Sequence, residues 1–266
     1  KTICVGNIYV GGTAKTPLTI KLFEILKNLN LDIAVIKKFY TDQVDEQKIL
    51  TKKTKLYCYK TRKRALNEAI KDNIKIAIFD DGLQDRTIDY DLKFVCFNTA
   101  AWIGNGFLIP AGPLREKIES IKKHDVIFLN GNEEDNSEIK FAIKKYNENI
   151  KIFETYYNPV NINEFDKNEK YIIFSGIGNP ESFKTTLIKN NINIINEFKF
   201  PDHYNYSFND INNIKLLAKS LNAKILTTEK DFVKIKKYQN AEIKFLQITL
   251  TVKNENELIN FLKSKI

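Results

Sequence analysis

Continuously apolar runs of four or five residues recur through the first half of the chain, among them Ile76-Ala77-Ile78-Phe79 and Phe94-Val95-Cys96-Phe97. Runs that do not alternate with polar residues belong to strands covered on both faces, as in a parallel sheet. They predict strands at 3–5, 32–37, 55–59, 74–79, 92–97 and 126–129. Between them the apolar period lengthens to that of a helix. Leu18, Leu22, Ile25, Leu26 and Leu29 share one face of a helix over 17–29, and similar patterns predict helices over 61–72 and 138–147. The alternation of strand and helix predicts an α/β fold with a doubly wound, mostly parallel sheet. A polar stretch at 131–150, a strand-like run at 151–157 and a second polar stretch at 161–170 then mark a handover. Beyond it the pattern repeats, with strands near 171–175, 192–198, 224–228 and 243–249 and helices near 181–190, 208–221 and 255–265. The expectation is a larger domain over 1–155 and a smaller α/β domain over 156–266.

Composition narrows the function classes. The chain has 266 residues, 43% hydrophobic and 28% charged, as suits a globular protein. No apolar run reaches the length of a membrane span, and none reads as a signal peptide. The sequence holds no methionine and starts directly before a strand, so the expected true N-terminus lies upstream, with any membrane anchor. Three cysteines, Cys4, Cys58 and Cys96, fall in predicted strands without a Cys-x-x-Cys pair and read as reduced buried thiols. Two histidines and no cysteine cluster argue against a zinc site. The net charge of +9 suits an anionic partner such as phosphates or an acidic membrane surface, but the lysines are scattered and select none by themselves. No nucleic-acid-binding module is present, so nucleic acid is not an expected partner.

Chemistry enters at the first strand-to-helix turn. Tyr9-Val10-Gly11-Gly12-Thr13-Ala14-Lys15-Thr16 joins an apolar strand to an amphipathic helix, with Pro17 in the helix's first turn. Small residues let backbone N–H groups approach anionic oxygens, and the helix start favours negative charge. Lys15 would reach the outer phosphates of a nucleoside triphosphate, and the Thr16 hydroxyl would ligate Mg²⁺. Two positions depart from the usual phosphate-loop (P-loop) pattern: Tyr9 and Ala14 stand where glycines are common. A left-handed backbone at Ala14 would cost about 1 kcal/mol.

Asp80-Asp81-Gly82 ends a hydrophobic strand, where a P-loop protein holds its metal; Asp-Gly is also a common turn dipeptide. The segment from Gly104 to Glu116 is dense in Gly and Pro and ends in Arg115-Glu116, either a phosphate clamp or a tight crossover with a surface ion pair. Asp202-His203-Tyr204 puts an acid beside a histidine, a group suited to proton transfer or simply a loop residue. His124 starts a strand and reads as structural, and Thr228-Glu229-Lys230-Asp231 either caps a helix or lines a cleft.

Together these blocks resemble the tetraacyldisaccharide 4'-kinase family. Val5 to Pro17 is similar to its Val-Gly-Asn…Gly-Gly-Thr-Gly-Lys-Thr-Pro loop except at Ala14, and that family places no glycine at the Tyr9 position. Asp80 to Gln84, Gly104 to Glu116, Phe174 to Pro180 with Phe183, Asp202 to Tyr204 and Thr228 to Asp231 resemble its later motifs in order. The resemblance implies two α/β domains around an active-site cleft and an enzyme at the cytoplasmic face of the bacterial inner membrane. It implies transfer of the ATP γ-phosphate to the 4'-hydroxyl of an acylated glucosamine disaccharide 1-phosphate, giving lipid IVA, with ATP and Mg²⁺ as cofactors. Lys15 and Thr16 would hold the phosphates and Mg²⁺, and Asp80 or Asp81 would complete the metal site. The family's Val-Gly-Asp-Glu motif has its nearest match in Val44-Asp45-Glu46, which lacks the glycine and follows a shortened segment after Tyr40. By that match Asp45 is the base and His203 its orienter, with Asp202 taking more of the proton transfer if Asp45 is misplaced. Arg64, Gln84, Arg115 and Glu116 are the implied substrate contacts. Two other readings stand beside this one: a P-loop ATPase switch, which leaves the Gly104–Glu116 block unexplained, and a weakened relative of the kinase.

Overall fold

The computed structural model describes residues 1–41, 43–131, 135–236, 238 and 241–266. In chain order its elements are β1 (Thr2–Gly6), α1 (Lys15–Asn28), β2 (Ile33–Lys38), α2 (Val44–Lys53), β3 (Leu56–Tyr59), α3 (Arg62–Lys71), β4 (Ile76–Asp80), β5 (Leu92–Asn98), β6 (Val126–Asn130), α4 (Ser137–Lys144) and β7 (Lys151–Pro159). They continue with β8 (Lys170–Ser175), α5 (Pro180–Lys189), β9 (Asn193–Lys199), α6 (Phe208–Ser220), β10 (Lys224–Thr228), α7 (Glu229–Ile235), β11 (Ile243–Leu246), β12 (Ile248–Val252) and α8 (Glu255–Lys265). The chain forms two compact units: unit 1 is Lys1–Thr41, Leu50–Tyr157 and Leu250–Ile266, and unit 2 is Asp42–Ile49 and Asn158–Thr249.

Unit 1 carries an eight-stranded sheet in the order β12-β7-β6-β5-β1-β4-β2-β3, and the pairs from β7 through β3 run parallel. Period-two alternation sorts the strand residues onto its two faces. Ile3 and Val5 of β1 pack in one cluster with Leu18 and Leu22 of α1 and with Leu258 and Leu262 of α8. Cys4, between them, packs in a second cluster with Ala65 and Ala69 of α3. Burial of each such leucine contributes roughly 1.5–3 kcal/mol, so the two helical layers fix which end of each strand meets the loops. Unit 2 repeats the plan with four parallel strands in the order β11-β10-β8-β9. Leu187 of α5 packs against Tyr171 and Ile173, whereas Ile211 of α6 and Ile235 of α7 pack against Ile172 and Phe174.

The structure differs from the sequence pattern at three places. The run at 243–249 is two strands: Gln247 breaks it by pairing with Val160 and Asn161, so β11 joins the four-stranded sheet and β12 the eight-stranded one. Residues 250–266 accordingly belong to unit 1 rather than to a second domain over 156–266, because β12 lies beside β7 and α8 buries its leucines with α1. Helix α2 has almost no apolar period, yet Asp45 and Glu46 sit in its first turn and Lys52 and Lys53 in its last, matching the helix dipole at both ends. Residues 132–134 of the polar handover and Asp42 of the short segment after Tyr40 lie outside the described residues. Among the described residues no helix is long and apolar enough to cross a membrane.

Candidate functional site

In unit 1 the turn between β1 and α1 has the form of an anion cradle. Ala14 caps α1 at φ 66°, ψ 22°, in the left-handed region, and no side chain bonds the helix's first amides. Gly11 is at φ 133°, a conformation closed to residues with a Cβ. Asn7 is fully buried and donates through Nδ2 to the Thr13 hydroxyl at 3.2 Å, which pins the two ends of the loop. Gly6 lies against Leu83, and a Cβ there would meet Leu83 Cγ at 2.5 Å, so this glycine is required by close approach.

Below the loop, β4 delivers two carboxylates with different surroundings. Asp80 is fully buried. Its oxygens accept from Thr16 Oγ1 at 3.1 Å, Thr19 Oγ1 at 3.2 Å and Lys37 Nζ at 2.6 Å. Asp81, with φ 54°, lies 3.8 Å from Lys15 Nζ and 3.6 Å from Arg115 Nη1. Its Oδ1 is buried and accepts no hydrogen bond. The Asp81 carbonyl accepts from Arg62 Nη2, and Arg62 Nη1 reaches Asp85 at 3.3 Å.

The Gly/Pro-rich segment buttresses the cradle. Val10 N–H donates to Pro113 O at 2.9 Å and Arg115 N–H to Ile8 O at 2.7 Å. Arg115 Nη1 also donates to Gln84 Oε1 at 3.2 Å, and Gln84 Nε2 donates to Asn7 O at 2.8 Å and to Glu116 Oε1 at 3.2 Å. Gln84, Arg115 and Glu116 therefore form one network with the loop and Asp81.

Unit 2 holds a separate charged cluster. Asp45, in the first turn of α2 and 5% exposed, faces His203 Nδ1 at 3.3 Å from its Oδ1. Its Oδ2 accepts no hydrogen bond, although the Lys234 and Lys230 ammoniums lie 3.5 and 3.8 Å away. Burial alone would raise the Asp45 pKa, but the His203 bond and the two lysines outweigh it and hold the carboxyl at about 2. The Asp45 contact raises His203 above its ordinary 6.5, against burial and Lys230, which lower it. Lys230 Nζ lies 3.2 Å from His203 Nε2, 3.1 Å from Asp202 Oδ1 and 3.4 Å from Glu46 Oε1. An ammonium has only hydrogens to offer, so in the neutral ring Nε2 accepts and Nδ1 carries the proton toward Asp45. Lys234 is anchored by Asp231 at 3.1 Å, and Thr228 caps α7 by accepting from Asp231 N–H.

The structure thus gathers Lys15, Thr16, Asp80 and Asp81 in unit 1, and Asp45, Asp202 and His203 in unit 2. Tyr9 is not part of the cradle through its side chain: its ring is buried on Phe97 and its hydroxyl accepts from Asn98 N–H at 2.6 Å. The Val10 amide is taken by Pro113, which leaves Gly11 to Thr16 as the loop's phosphate-facing candidates. Arg64, an implied substrate contact, lies over the Tyr59 ring, 5.3 Å from its centroid, and it is Arg62 that bonds the Asp81 carbonyl. Sequence reasoning did not single out Lys37, Arg62 or Lys234, and it named Lys230 only within the Thr228–Asp231 block. A lysine at the end of the apolar run Ile33–Ile36 was the one local signal for Lys37.

Comparison with known proteins shows the family and the fold. The chain matches the family described as Tetraacyldisaccharide-1-P 4'-kinase over residues 1–55 and 41–266. It is 50% identical to a tetraacyldisaccharide 4'-kinase of Pelagibacter ubique over 98% of this chain and 83% of that protein. A tetraacyldisaccharide 4'-kinase of Rickettsia bellii is 37% identical over 97% of this chain and 84% of its own length. The crystal structure of LpxK from Aquifex aeolicus in complex with ATP has the same fold, with a TM-score of 0.73 and 22% identity over 99% of this chain and 88% of that one.

Proposed function

The chain belongs to the tetraacyldisaccharide-1-P 4'-kinase family, and from that membership we propose that it transfers the γ-phosphate of ATP to the 4'-hydroxyl of tetraacyldisaccharide 1-phosphate. The product is lipid IVA, and the step belongs to lipid A biosynthesis. The observation that carries the reading is the grouping of Lys15, Thr16, Asp80 and Asp81 at the start of α1, under a loop whose amides have no side-chain cap.

The acceptor oxygen forms the new bond to the γ-phosphorus, ADP leaves, and the hydroxyl proton passes to a base. Phosphoryl transfer asks for positioning and charge neutralisation more than covalent help. Gly11 to Thr16 and the Lys15 ammonium hold the phosphate oxygens, and Arg115 adds a second cation beside Asp81. Mg²⁺ suits the remaining donors. Asp81 Oδ1 is buried without a hydrogen bond, and Thr16 Oγ1 gives its hydrogen to Asp80, which leaves its lone pairs for a cation. No cage of three or more His, Cys, Asp or Glu exists among the described residues, in keeping with an ion that takes its other ligands from phosphates and water. When bound, Mg²⁺ neutralises charge between the outer phosphates.

Asp45 is the base, and its Oδ2, buried and without a hydrogen bond, is the oxygen that would accept the proton of the sugar hydroxyl. A carboxylate of pKa about 2 accepts the proton late, so its chief role is to orient the oxygen; His203 fixes its rotamer. Asp202 acts through Lys230 and His203. An acylated acceptor remains partly in the bilayer, so the enzyme works at the cytoplasmic face of the inner membrane. Phe107, Leu108 and Ile109 are exposed on the segment bonded to the phosphate loop and suit that surface.

The test is label transfer from γ-labelled ATP to tetraacyldisaccharide 1-phosphate with Mg²⁺ present. Labelled lipid supports the reading. ATP hydrolysis indifferent to the lipid refutes it in favour of a P-loop switch.

A further inference from the structure

Lys37 stands apart from the residues already placed in the reaction. It is the last buried residue of β2, 1% exposed, in a strand otherwise apolar from Ile33 to Ile36. β2 and β4 run parallel with Ile36 opposite Phe79, so the next residues along, Lys37 and Asp80, fall side by side at the strand ends. The ammonium sits 2.6 Å from Asp80 Oδ2, and both groups are out of water. Removing one member of such a pair leaves an uncompensated buried charge, whereas the neutral pair is tolerated.

We infer that Lys37 is a positioning residue for the phosphoryl-transfer site: it neutralises Asp80 and fixes it as the acceptor for Thr16 and Thr19, leaving Asp81 as the carboxylate that serves the divalent cation. The inference rests on the kinase reading above. Three observations carry it. The Asp80 oxygens are committed to Lys37, Thr16 and Thr19, at 2.6, 3.1 and 3.2 Å. Thr16 therefore spends its only hydrogen on Asp80, and its oxygen lone pairs would be left to serve a cation. Asp81 Oδ1 has no hydrogen bond, although it too is buried. Its two cationic neighbours, Lys15 and Arg115, stand at 3.8 and 3.6 Å, longer than a direct hydrogen bond. Without Lys37 a second negative charge would face the triphosphate beside Asp81, and Asp80 would compete for Lys15.

The test compares Lys37→Met, Lys37→Met/Asp80→Asn, Asp80→Asn and Asp81→Asn with the unaltered chain. Three quantities are read: Mn²⁺ binding in the presence of ATP by electron paramagnetic resonance, thermal unfolding, and kcat against KM for ATP. The expectation for Lys37→Met is a lowered melting temperature and Mn²⁺–ATP affinity weakened by about tenfold, because Asp80, the acceptor behind the Thr16 hydroxyl, loses its counter-charge. The double variant exchanges the ion pair for neutral groups. It is expected to regain the melting temperature but neither the Mn²⁺–ATP affinity nor kcat. Asp81→Asn should weaken Mn²⁺ binding more than Asp80→Asn does. The inference is overturned if the double variant recovers affinity and kcat along with stability, since Lys37 would then serve folding alone. It is equally overturned if Asp80→Asn costs as much Mn²⁺ affinity as Asp81→Asn, a comparison that does not depend on Lys37→Met folding. If the unaltered chain binds no Mn²⁺–ATP, the kinase reading itself fails, and that outcome is distinct from both.

Discussion

The phosphate-loop site of unit 1 and the Asp45–His203 cluster of unit 2 are built in opposite ways. The first is a contiguous stretch of chain, Gly11 to Thr16, backed by one strand end and braced by one rigid loop. The second gathers α2, the Asp202-His203 turn and α7, with His203 at φ 59° in the left-handed region, which few non-glycine residues adopt. In the first, the charges that face a ligand are cations restrained by Asp81. In the second, the decisive atom is an anionic oxygen, Asp45 Oδ2, held ionised by two lysines and a histidine. One cluster presents cations and the other a carboxylate, the two kinds of group on which the proposed transfer from ATP to an alcohol draws.

The contrast breaks first at Lys15. Lys15→Ala is expected to lower kcat/KM for label transfer by about 100-fold or more, the scale of losing one preorganised charge donor. Its melting curve should stay near that of the unaltered chain, because Lys15 pairs with Asp81 only at 3.8 Å. Transfer that persists in Lys15→Ala would remove unit 1's claim on the nucleotide.

Asp45→Asn should lower kcat by roughly 100-fold, within the range for a positioned general base, while calorimetric ATP affinity remains unchanged. A variant that lost ATP affinity as well would show that the two sites do not divide the work as described.

The pH dependence sharpens the same distinction. Protonated His203 would bind Asp45 as an ion pair and crowd Lys230, so kcat/KM should fall as pH drops through a pKa above 6.5. His203→Gln should flatten that limb. A limb that survives the substitution must come from another group.

A smaller effect concerns stability in acid. Asp45 is held at about 2 against an ordinary 3.8. A depressed carboxyl contributes stability that is present above its ordinary pKa and is lost as pH falls through its folded value. Asp45 should therefore contribute about 2 kcal/mol near neutrality, most of it lost by about pH 2, from the size of the shift. Asp45→Asn should unfold with a shallower pH dependence between pH 4 and about 2. His203, whose pKa is raised, works the other way, and its contribution fades as pH rises through that value.

The least effect is expected at the cradle's cap. Ala14 holds φ 66° without a side-chain bond, so Ala14→Gly should raise unfolding stability by up to about 1 kcal/mol. ATP affinity should be maintained or improved; a large loss would mean that the methyl group shapes the loop.

Most of the parallel sheet and the strand-to-helix turn at Gly11–Thr16 were legible in the chain, because buried strands announce themselves as unbroken apolar runs and such a turn is a local object. Ala14's left-handed cap and Thr228's helix cap follow from neighbours within four residues. Longer-range relations were not encoded locally. From the residues alone come the apolar runs of the sheet and the small-residue turn that ends in Lys15-Thr16. Tertiary structure alone decided that β11 and β12 part at Gln247, that α8 packs with α1, and that Arg62 bonds the Asp81 carbonyl. It also decided that Lys37 meets Asp80 and that Asp45 lies between His203 and two lysines. Each of these pairings joins segments far apart along the chain, and their partners are chosen by sheet order and burial, which no short stretch of residues contains.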